Sequence, residues 1–166
     1  MIVVLMGVCG CGKTTVGHAL AGQLAWPFHD ADGFHPPANV AKMAAGTPLT
    51  DDDRWPWLDR IAAEMGAIDA SGGNVVLACS ALKQAYRDRI AKAGDVRFVF
   101  LRGDQATIAA RLATRQHEYM PASLLPSQFA ALEEPQDALV VDIRADVATQ
   151  VAAIRRGLAL DTATQA

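Results

Sequence analysis

The feature that most restricts the fold of this chain is a glycine-rich run close to its start. The run reads Gly7-Val8-Cys9-Gly10-Cys11-Gly12-Lys13-Thr14 and satisfies the pattern GxxxxGK[ST]. The apolar residues 2–6 before it predict a buried strand, and a helix is predicted from residue 14 to about residue 24. A strand, a loop and a helix in this register form the first unit of a parallel α/β sheet whose loop binds phosphate.

The rest of the chain continues this alternation. Apolar runs predict further strands near Phe28 and at residues 75–79, 98–101 and 139–143. Helical spacing of apolar residues appears between them, at 58–68 and again at 147–158. Short links between such elements predict a three-layer α/β fold with a five-stranded parallel sheet. A length of 166 residues with 51% hydrophobic content suits one domain, 1–166, of which only the tail at 160–166 is expected to fray.

Two polar stretches interrupt the alternation. The first, residues 30–54, is rich in Asp, Pro and Gly, and the second covers residues 117–126. Segments inserted at the carboxyl edge of a parallel sheet usually close over ligands. We therefore expect a substrate-binding insertion at about 30–58 and a lid at about 112–126.

Composition excludes several partners. With 20% charged residues and a net charge of −3, the chain has no excess of cations for nucleic acid or anionic lipid. No apolar stretch approaches the ~18 to 20 residues of a membrane span, and the first residues lack the basic start of a signal peptide. A cytoplasmic protein without nucleic-acid or membrane partners is expected. The three cysteines predict reduced thiols, and the four histidines lack the spacing of a structural zinc site.

The glycine-rich run predicts where a nucleotide binds. Backbone N–H groups of such a loop surround phosphate oxygens, and the N-terminus of the following helix adds positive potential. Lys13 is expected to bridge the terminal phosphates, and the Thr14 hydroxyl is expected to ligate Mg²⁺. The predicted ATP-binding residues of this segment are Gly7, Val8, Cys9, Gly10, Cys11, Gly12, Lys13, Thr14 and Thr15.

Other classes of phosphate-loop protein fit less well. A GTP switch needs a guanine-reading NKxD segment, which the sequence lacks. A motor-type ATPase normally has an acidic residue at the end of an apolar strand, yet the predicted strand at 75–79 ends in Cys79 and is followed by Ser80. A small-molecule kinase with a three-layer P-loop kinase fold is the best fit, and an ATP-sensing module without transfer chemistry is the alternative outside enzymes.

Two aspartates follow the short second strand, whose carboxyl end should open beside the phosphate loop. Asp30 and Asp32 are therefore candidates for acid/base work, one serving Mg²⁺ and the other the attacking hydroxyl. Spacing alone leaves an ordinary Asp-rich turn equally open.

Basic residues offer two further groups of candidates. Lys83 and Arg87 stand four apart on a predicted helix face, where together with Arg54 they are expected to clamp a carboxylate. Arg111 and Arg115 share another helix face, just before the second polar stretch, and suit contact with the transferring phosphoryl group. Solvated surface charge is the alternative for both groups.

One histidine is a further candidate. His35 precedes Pro36 and Pro37. It either touches substrate or makes only a local hydrogen bond.

With these residues in view, the chain resembles gluconokinases of the short, phosphate-loop type over nearly its whole length. Two stretches, one from Pro48 to Leu58 and one from Cys79 to Lys83, are more specific than the phosphate loop. The other matching stretches are Asp30-Ala31-Asp32, His35-Pro36, Asn39 to Met43, Tyr86-Arg87-Asp88, Met120-Pro121, Leu124-Leu125, Ser127-Gln128-Phe129, Leu132-Glu133 and Val140 to Ile143.

The resemblance implies a shikimate-kinase-like sheet and phosphorylation of D-gluconate on its 6-hydroxyl by ATP with Mg²⁺. It implies that Arg111 lies near adenine and Arg115 near the phosphates, and it favours a homodimer. On this hypothesis Asp32 orients the hydroxyl while Asp30 serves the metal. Shikimate, another sugar acid or a nucleoside monophosphate stay open as alternative acceptors.

The chain also departs from the family pattern. Cys9 and Cys11 stand where the family usually has serine, and Ala31 stands where it usually has glycine. The lid reads His117-Glu118-Tyr119 in place of Gly-His-Phe, so no role is assigned to His117 or Glu118. The loop environment favours thiolate at Cys9 and Cys11, while quiet substitutes for serine are the equal alternative.

Overall fold

A central parallel sheet organises the protein, and the computed structural model describes residues 1–113 and 125–160 of it. The strands are β1 (Ile2–Met6), β2 (Phe28–Asp30), β3 (Val75–Ala78), β4 (Val96–Arg102) and β5 (Leu139–Asp142). The helices are α1 (Lys13–Leu24), α2 (Pro37–Ala44), α3 (Asp51–Ala70), α4 (Gln84–Ala91), α5 (Gln105–Ala113), α6 (Leu125–Ala131) and α7 (Val147–Gly157), with a 3₁₀ turn at Ala31–Phe34. The predicted strands are present with ends that differ by at most two residues, whereas the helix predicted from the pattern at 58–68 is longer and begins at Asp51.

The sheet has the order β2-β3-β1-β4-β5, and every neighbouring pair is parallel. The predicted five-stranded parallel sheet is therefore confirmed. All five residues of β1 and all four of β3 are buried, as the unbroken apolar runs predicted. The two edge strands are less buried than these central strands: β2 is half-buried, and two of the four β5 residues are exposed. The reason is that an edge strand has a neighbouring strand on one side only.

Helices cover both faces of the sheet and complete three layers. Alternate β1 side chains point to opposite faces, so Val3 and Leu5 belong to one core, and Ile2, Val4 and Met6 to the other. The first core includes residues of α1, α5 and α7, namely Val16, Leu20, Ile108, Leu112, Val151 and Ile154. The second includes residues of α3 and α4, namely Trp57, Leu58, Ile61, Met65, Tyr86 and Ile90.

The carboxyl edge of the sheet gathers the polar segments. The phosphate loop follows β1, the turn at Ala31–Phe34 follows β2, and the loop leading to Lys83 follows β3. The backbone N–H of Gly7 donates to the carbonyl of Ser80 at 3.2 Å, so the first and third of these segments are joined directly. None of the helices among the described residues is long and apolar enough to cross a membrane.

The residues predicted as a substrate-binding insertion fold into the 3₁₀ turn, α2 and the start of α3. A capping box begins α3, in which the Thr50 hydroxyl accepts the Asp53 N–H at 3.2 Å and the Asp53 carboxylate accepts the Thr50 N–H at 2.9 Å. Lys42 of α2 pairs with the same carboxylate at 2.6 Å. Asp53 therefore fixes α2 against the beginning of α3.

Candidate active site

The phosphate loop has the backbone shape that its glycines allow. Gly10 and Gly12 adopt φ values of 83° and 102°, which side chains disfavour. A Cβ on Gly10 would in addition lie 2.8 Å from the side chain of Leu112. Gly12 is the N-cap residue of α1 and has no side chain to satisfy the first amides of that helix. Those amides face the loop, where an anion is their natural partner.

The side chain of Lys13 folds back across the loop. Its ammonium donates to the carbonyls of Gly7 at 2.9 Å and Val8 at 3.0 Å. The charge is therefore held beside the loop instead of extending into solvent. This is the position from which a lysine offsets the charge of terminal phosphates.

Both predicted aspartates share a cavity with Lys13. The cavity, which we call the transfer cavity, holds about 130 Å³ and is lined by Cys9, Lys13, Thr14, Asp30, Asp32, Ala78, Cys79, Ser80 and Gln128. The Thr14 hydroxyl donates to Asp30 at 3.2 Å, and the other oxygen of Asp30 accepts the backbone N–H of Asp32 at 3.1 Å. The carboxylate of Asp30 thus accepts one hydrogen bond from α1 and one from the turn, and Asp32 lines the cavity beside it.

The surroundings of Asp32 raise its proton affinity. Burial, and next the negative charge of Asp30, raise the pKa of the Asp32 carboxyl above its usual 3.8, although Lys13 acts in the opposite direction. A carboxylate with a raised pKa takes a proton from a hydroxyl more readily than an ordinary aspartate does.

The oxygens of Thr14 and Asp30 also suit Mg²⁺. A hydroxyl and a carboxylate in contact are hard donors of the type that this ion prefers. Residues 1–113 and 125–160 contain no group of three or more His, Cys, Asp and Glu side chains arranged around a common point. Mg²⁺ usually keeps several waters and takes few protein ligands beside substrate phosphates, so one hydroxyl and one carboxylate are a sufficient set of protein ligands for it.

A second cavity lies on the far side of the phosphate loop. It holds about 170 Å³ and is lined by Gly10, Cys11, Gly12, Thr15, Val16, Arg111, Val147 and Gln150. Arg111 donates to the carbonyl of Ile143 at 2.5 Å, which fixes its guanidinium at the mouth. The other predicted arginine, Arg115, lies in 114–124, outside the described residues, together with His117, Glu118 and most of the predicted lid.

Arg54 and Lys83 meet at a common partner, which sequence reasoning did not identify. The Lys83 ammonium donates to both oxygens of Asp51, at 2.9 and 2.7 Å, and the Tyr86 hydroxyl donates to one of them. The Arg54 guanidinium lies 3.7 Å from Asp51 and 3.4 Å from the Tyr86 oxygen. We call these four residues the acceptor cluster. Hydrogen bonds from Lys83, and next from Tyr86, lower the pKa of the Asp51 carboxyl.

The prediction that Lys83 and Arg87 project from one helix face is wrong. Lys83 precedes α4 as its N-cap residue, with extended backbone at φ −93° and ψ 149°. Arg87 is only 2% exposed, and its guanidinium donates to the carbonyls of Ala81 at 3.0 Å and Leu82 at 3.1 Å. Ala81 has a positive φ of 43°, so Arg87 supports a strained loop. Arg87 therefore holds the backbone that carries Lys83, and its predicted direct contact with substrate is not supported by this orientation.

The side chain of His35 contacts two residues of the predicted substrate-binding insertion. Its ring stacks on Trp57 with centroids 4.3 Å apart, and its Nδ1 lies 3.3 Å from the side-chain nitrogen of Asn39. Burial, and next the charge of Arg54, lower the pKa of His35 to about 4. The imidazole is therefore neutral at physiological pH, and a substrate contact through it stays a prediction.

Two of the three thiols near the phosphate loop are buried. Cys11 and Cys79 are 1% and 2% exposed. Burial raises the pKa of Cys79 to about 12, and burial also raises the pKa of Cys9 in spite of the opposing charge of Lys13. At Cys9 desolvation outweighs the nearby cation, which favours the thiol form and with it the alternative of a quiet substitute for serine.

Gln128 is another residue of the site to which sequence reasoning gave no role. Its side-chain oxygen accepts the backbone N–H of Cys9 at 2.6 Å. The segment Ser127-Gln128-Phe129 carried part of the resemblance to gluconokinases, and this was the one signal available. Asp51 lies in the stretch from Pro48 to Leu58 that also carried the resemblance, but it stands in a run of three aspartates that spacing cannot tell apart.

Comparison with known proteins agrees with this geometry. The family pattern described as shikimate kinase matches residues 9–149. The gluconokinase of Gluconobacter oxydans is 48% identical over 136 residues, covering 81% of this chain and 76% of that protein. The thermoresistant gluconokinase of Escherichia coli is 39% identical over 94% of both chains. The crystal structure of a gluconokinase from Sinorhizobium meliloti superposes with a TM-score of 0.83 and 43% identity over 95% of this chain and 91% of that one. The chain therefore belongs to the shikimate kinase family of ATP-dependent kinases and, within it, to the gluconokinases.

Proposed function

We propose that this protein transfers the terminal phosphoryl group of ATP to the 6-hydroxyl of D-gluconate, giving 6-phospho-D-gluconate and ADP. The observation that carries the proposal is the transfer cavity, in which Lys13 of the phosphate loop and Asp32 of the β2 edge face the same space. A phosphate group and a hydroxyl have to meet between such groups for transfer to occur. The gluconokinase relatives supply the choice of acceptor.

The phosphate loop and the second cavity are proposed to hold ATP. Backbone N–H groups from Gly7 to Gly12 would bind the phosphates, with Thr15 at the start of α1 beside them. The cavity of about 170 Å³ behind the loop is then the place for adenine, next to Arg111. Arg115 is proposed to approach the phosphates from the lid.

Thr14 and Asp30 are proposed to hold Mg²⁺, Thr14 through its hydroxyl and Asp30 through its carboxylate. The ion would neutralise charge on the phosphates when bound. The hydrogen bond of 3.2 Å between the two residues supports this pairing, because it already places both oxygens at one point.

Asp32 is proposed to act as the general base. Its carboxylate takes the proton of the 6-hydroxyl while the hydroxyl oxygen forms a bond to the terminal phosphorus. The bond from that phosphorus to the oxygen of ADP breaks, and ADP leaves with the bonding electrons. Lys13 offsets the charge that gathers on the phosphoryl oxygens during this step.

The acceptor cluster is proposed to recognise the carboxylate of gluconate. Arg54 and Lys83 are about one-third exposed, at 31% and 33%, so their charged ends are accessible from solvent. Asp51 holds both cations at one point, and a substrate carboxylate would share them with it. His35 stays a candidate for contact with the hydroxyl groups of the sugar acid.

A panel of acceptors tests the proposal. Release of ADP is measured with ATP, Mg²⁺ and one of gluconate, glucose, shikimate or a nucleoside monophosphate. Gluconate should give the highest kcat/KM, and glucose, which lacks the carboxylate, should be a poor acceptor. A preference for any other member of the panel would refute the assignment, and no ADP release with any of them would favour a binding module.

The wider organisation also belongs to this proposal. We propose one kinase domain over 1–166, a substrate-binding insertion at about 30–58 and a lid at about 112–126. The homodimer and the cytoplasmic location stay predictions, which size-exclusion chromatography and cell fractionation would test.

A further inference from the structure

One contact in the transfer cavity joins residues that are far apart in the chain. The side-chain oxygen of Gln128, on α6, accepts the backbone N–H of Cys9 at 2.6 Å across 119 positions of sequence. A backbone N–H can only donate, so the atom that faces Cys9 is the oxygen of the carboxamide and the NH₂ group is its other end. Gln128 therefore occupies a donor in the middle of the phosphate loop.

The donor that Gln128 occupies is of the kind that phosphate-loop sites use for phosphate. One N–H serves one acceptor well, so Gln128 and a phosphate oxygen compete for Cys9. Gln128 also lines the transfer cavity beside Lys13, Thr14 and Asp32. The carboxamide, which has one donor group and one acceptor atom, therefore lines the same cavity as the residues proposed to carry out the transfer.

The segment that carries Gln128 is fixed at both ends. Leu125, at the start of α6, is 4% exposed and packs in the first core. Beyond α6, the Glu133 N–H donates to the Leu82 carbonyl at 2.9 Å, and the Glu133 carboxylate accepts the Gln84 N–H at 2.6 Å. Residues 125–133 therefore connect the phosphate loop with the loop that carries Lys83.

We propose that Gln128 is a further residue of the phosphoryl-transfer site. Its oxygen holds the Cys9 N–H until the phosphates of ATP take that donor, and its NH₂ group then donates to the phosphoryl group in transfer. A donor aimed at developing charge accelerates such a step. This inference rests on the proposed kinase function and adds a residue to it.

The competing explanation is a structural one, in which Gln128 only fastens α6 to the phosphate loop. The two explanations differ in the sign of one effect. A fastener stabilises the loop, so its loss weakens nucleotide binding and lowers the melting temperature. A competitor occupies the loop, so its loss leaves nucleotide binding unchanged or tighter while kcat falls.

Two substitutions separate these cases. Gln128→Leu removes both polar ends at similar volume, and we expect kcat to fall about tenfold to a hundredfold, as for a lost hydrogen bond to a charged group. The Kd for a non-hydrolysable ATP analogue with Mg²⁺ should stay equal or decrease. Gln128→Glu keeps the acceptor for Cys9 and brings negative charge against the phosphates, so it should weaken analogue binding at least about tenfold.

The measurements are calorimetric Kd for the analogue, kcat and KM for ADP release, and melting temperature, all on the full chain. Gln105→Leu and Gln105→Glu provide matched controls, since Gln105 is exposed on α5. Gln128→Asn, whose carboxamide is one methylene shorter, replaces the leucine variant should that variant not fold, and the same loss of kcat is expected from it.

Either of two results would overturn the inference: a kcat for Gln128→Leu within about twofold of the wild type, or a weaker analogue Kd together with a lower melting temperature, whatever the kcat. The analogue Kd needs no acceptor, so it tests Gln128 independently of gluconate. Failure of the wild type to use gluconate refutes the proposed substrate instead, and kcat is then measured with the acceptor that the panel identifies.

Discussion

The groups of the phosphate loop belong to one continuous stretch of backbone, whereas the groups of the acceptor cluster are side chains on separate elements. Residues 7–12 lie between β1 and α1, residues 13 and 14 begin α1, and the orientation of their N–H groups depends on local φ values. Asp51 and Arg54 come from the first turn of α3, Lys83 from the β3–α4 loop and Tyr86 from α4. Those residues meet only after two elements pack on one face of the sheet.

We therefore expect the phosphate loop to determine the rate of transfer and the acceptor cluster to determine which substrate is used. On the proposed function, phosphates are bound by main-chain groups of the loop, and Lys13, Asp30 and Asp32 are the side chains proposed to carry out the transfer. The acceptor is proposed to be recognised by Arg54 and Lys83, which are about one-third exposed and already have a partner in Asp51. Changes at the loop should therefore affect kcat strongly, while changes at the acceptor cluster should affect the use of one substrate and not of the other.

The largest expected effect comes from Lys13. Lys13→Ala removes the charge beside the terminal phosphates, so kcat should fall at least about a hundredfold. The melting temperature should change little, because within residues 1–113 and 125–160 the ammonium donates to atoms of its own loop, namely the carbonyls of Gly7 and Val8 and the sulfur of Cys11. The exposed Lys92→Ala is the control, and near-normal turnover of Lys13→Ala would contradict the assignment of the loop.

Asp32→Asn should lower activity and raise stability at once. Loss of the base should cost about a hundredfold or more in kcat. Because burial and Asp30 raise the pKa of Asp32, its charged form destabilises the folded state at neutral pH, and a neutral amide relieves that penalty.

The wild-type rate should also fall with acid, through a pKa above 3.8, as Asp32 takes up its proton. The measurements are a pH profile of kcat/KM and the melting temperature at pH 7. A lower melting temperature for Asp32→Asn would contradict the argument.

Substitutions at Lys83 and Arg87 should affect different quantities: the KM for gluconate at Lys83 and the free energy of unfolding at Arg87. Lys83→Met should raise the KM for gluconate about tenfold or more and leave the KM for ATP unchanged, since a charge-assisted contact is worth ~1.5–3 kcal/mol. Arg87→Met should instead lower the free energy of unfolding by about 1–3 kcal/mol, because two buried carbonyls lose their donors.

The control for this pair is Arg89→Met, on the same helix, which breaks an exposed ion pair with Asp59. It should change neither quantity appreciably. Denaturant unfolding gives the stabilities and the coupled assay gives the KM values. A normal stability for Arg87→Met together with a raised gluconate KM would return Arg87 to the acceptor site.

The smallest expected effect concerns acid and His35. Its pKa in the folded protein, about 4, lies below the ordinary 6.5, so the fold favours the neutral ring. The contribution to stability is fully present above pH 6.5 and is lost as pH falls towards 4.

His35→Phe keeps a ring to stack on Trp57 and cannot titrate. Its melting temperature should therefore decrease less between pH 7 and pH 5 than that of the wild type, with the exposed His18→Phe as control. Parallel pH curves for the wild type and His35→Phe would contradict this account.

Sequence reasoning was most successful where neighbours in the chain are neighbours in space. The strand, the glycines and the helix around Lys13 are consecutive, and the predicted parallel sheet follows from apolar runs of matching length. The position of Asp30 and Asp32 beside the loop required one further step, from strand order to a shared carboxyl edge. Their roles as metal ligand and base stay predictions.

What the sequence by itself determined was the class of protein: a parallel α/β fold with a phosphate loop, and a family membership carried by several separate stretches. Tertiary structure alone decided which charges pair. Lys83 and Arg87 stand four apart in the sequence, yet one bonds to Asp51 and the other enters the interior beneath Ala81 and Leu82.

The same holds for Gln128, which reaches Cys9 across 119 positions. The physical reason is that backbone conformation depends on local residues, whereas the partner of a long side chain depends on packing between distant elements. Burial raises the pKa of Cys9 in the same way, since desolvation of its thiol outweighs the charge of neighbouring Lys13.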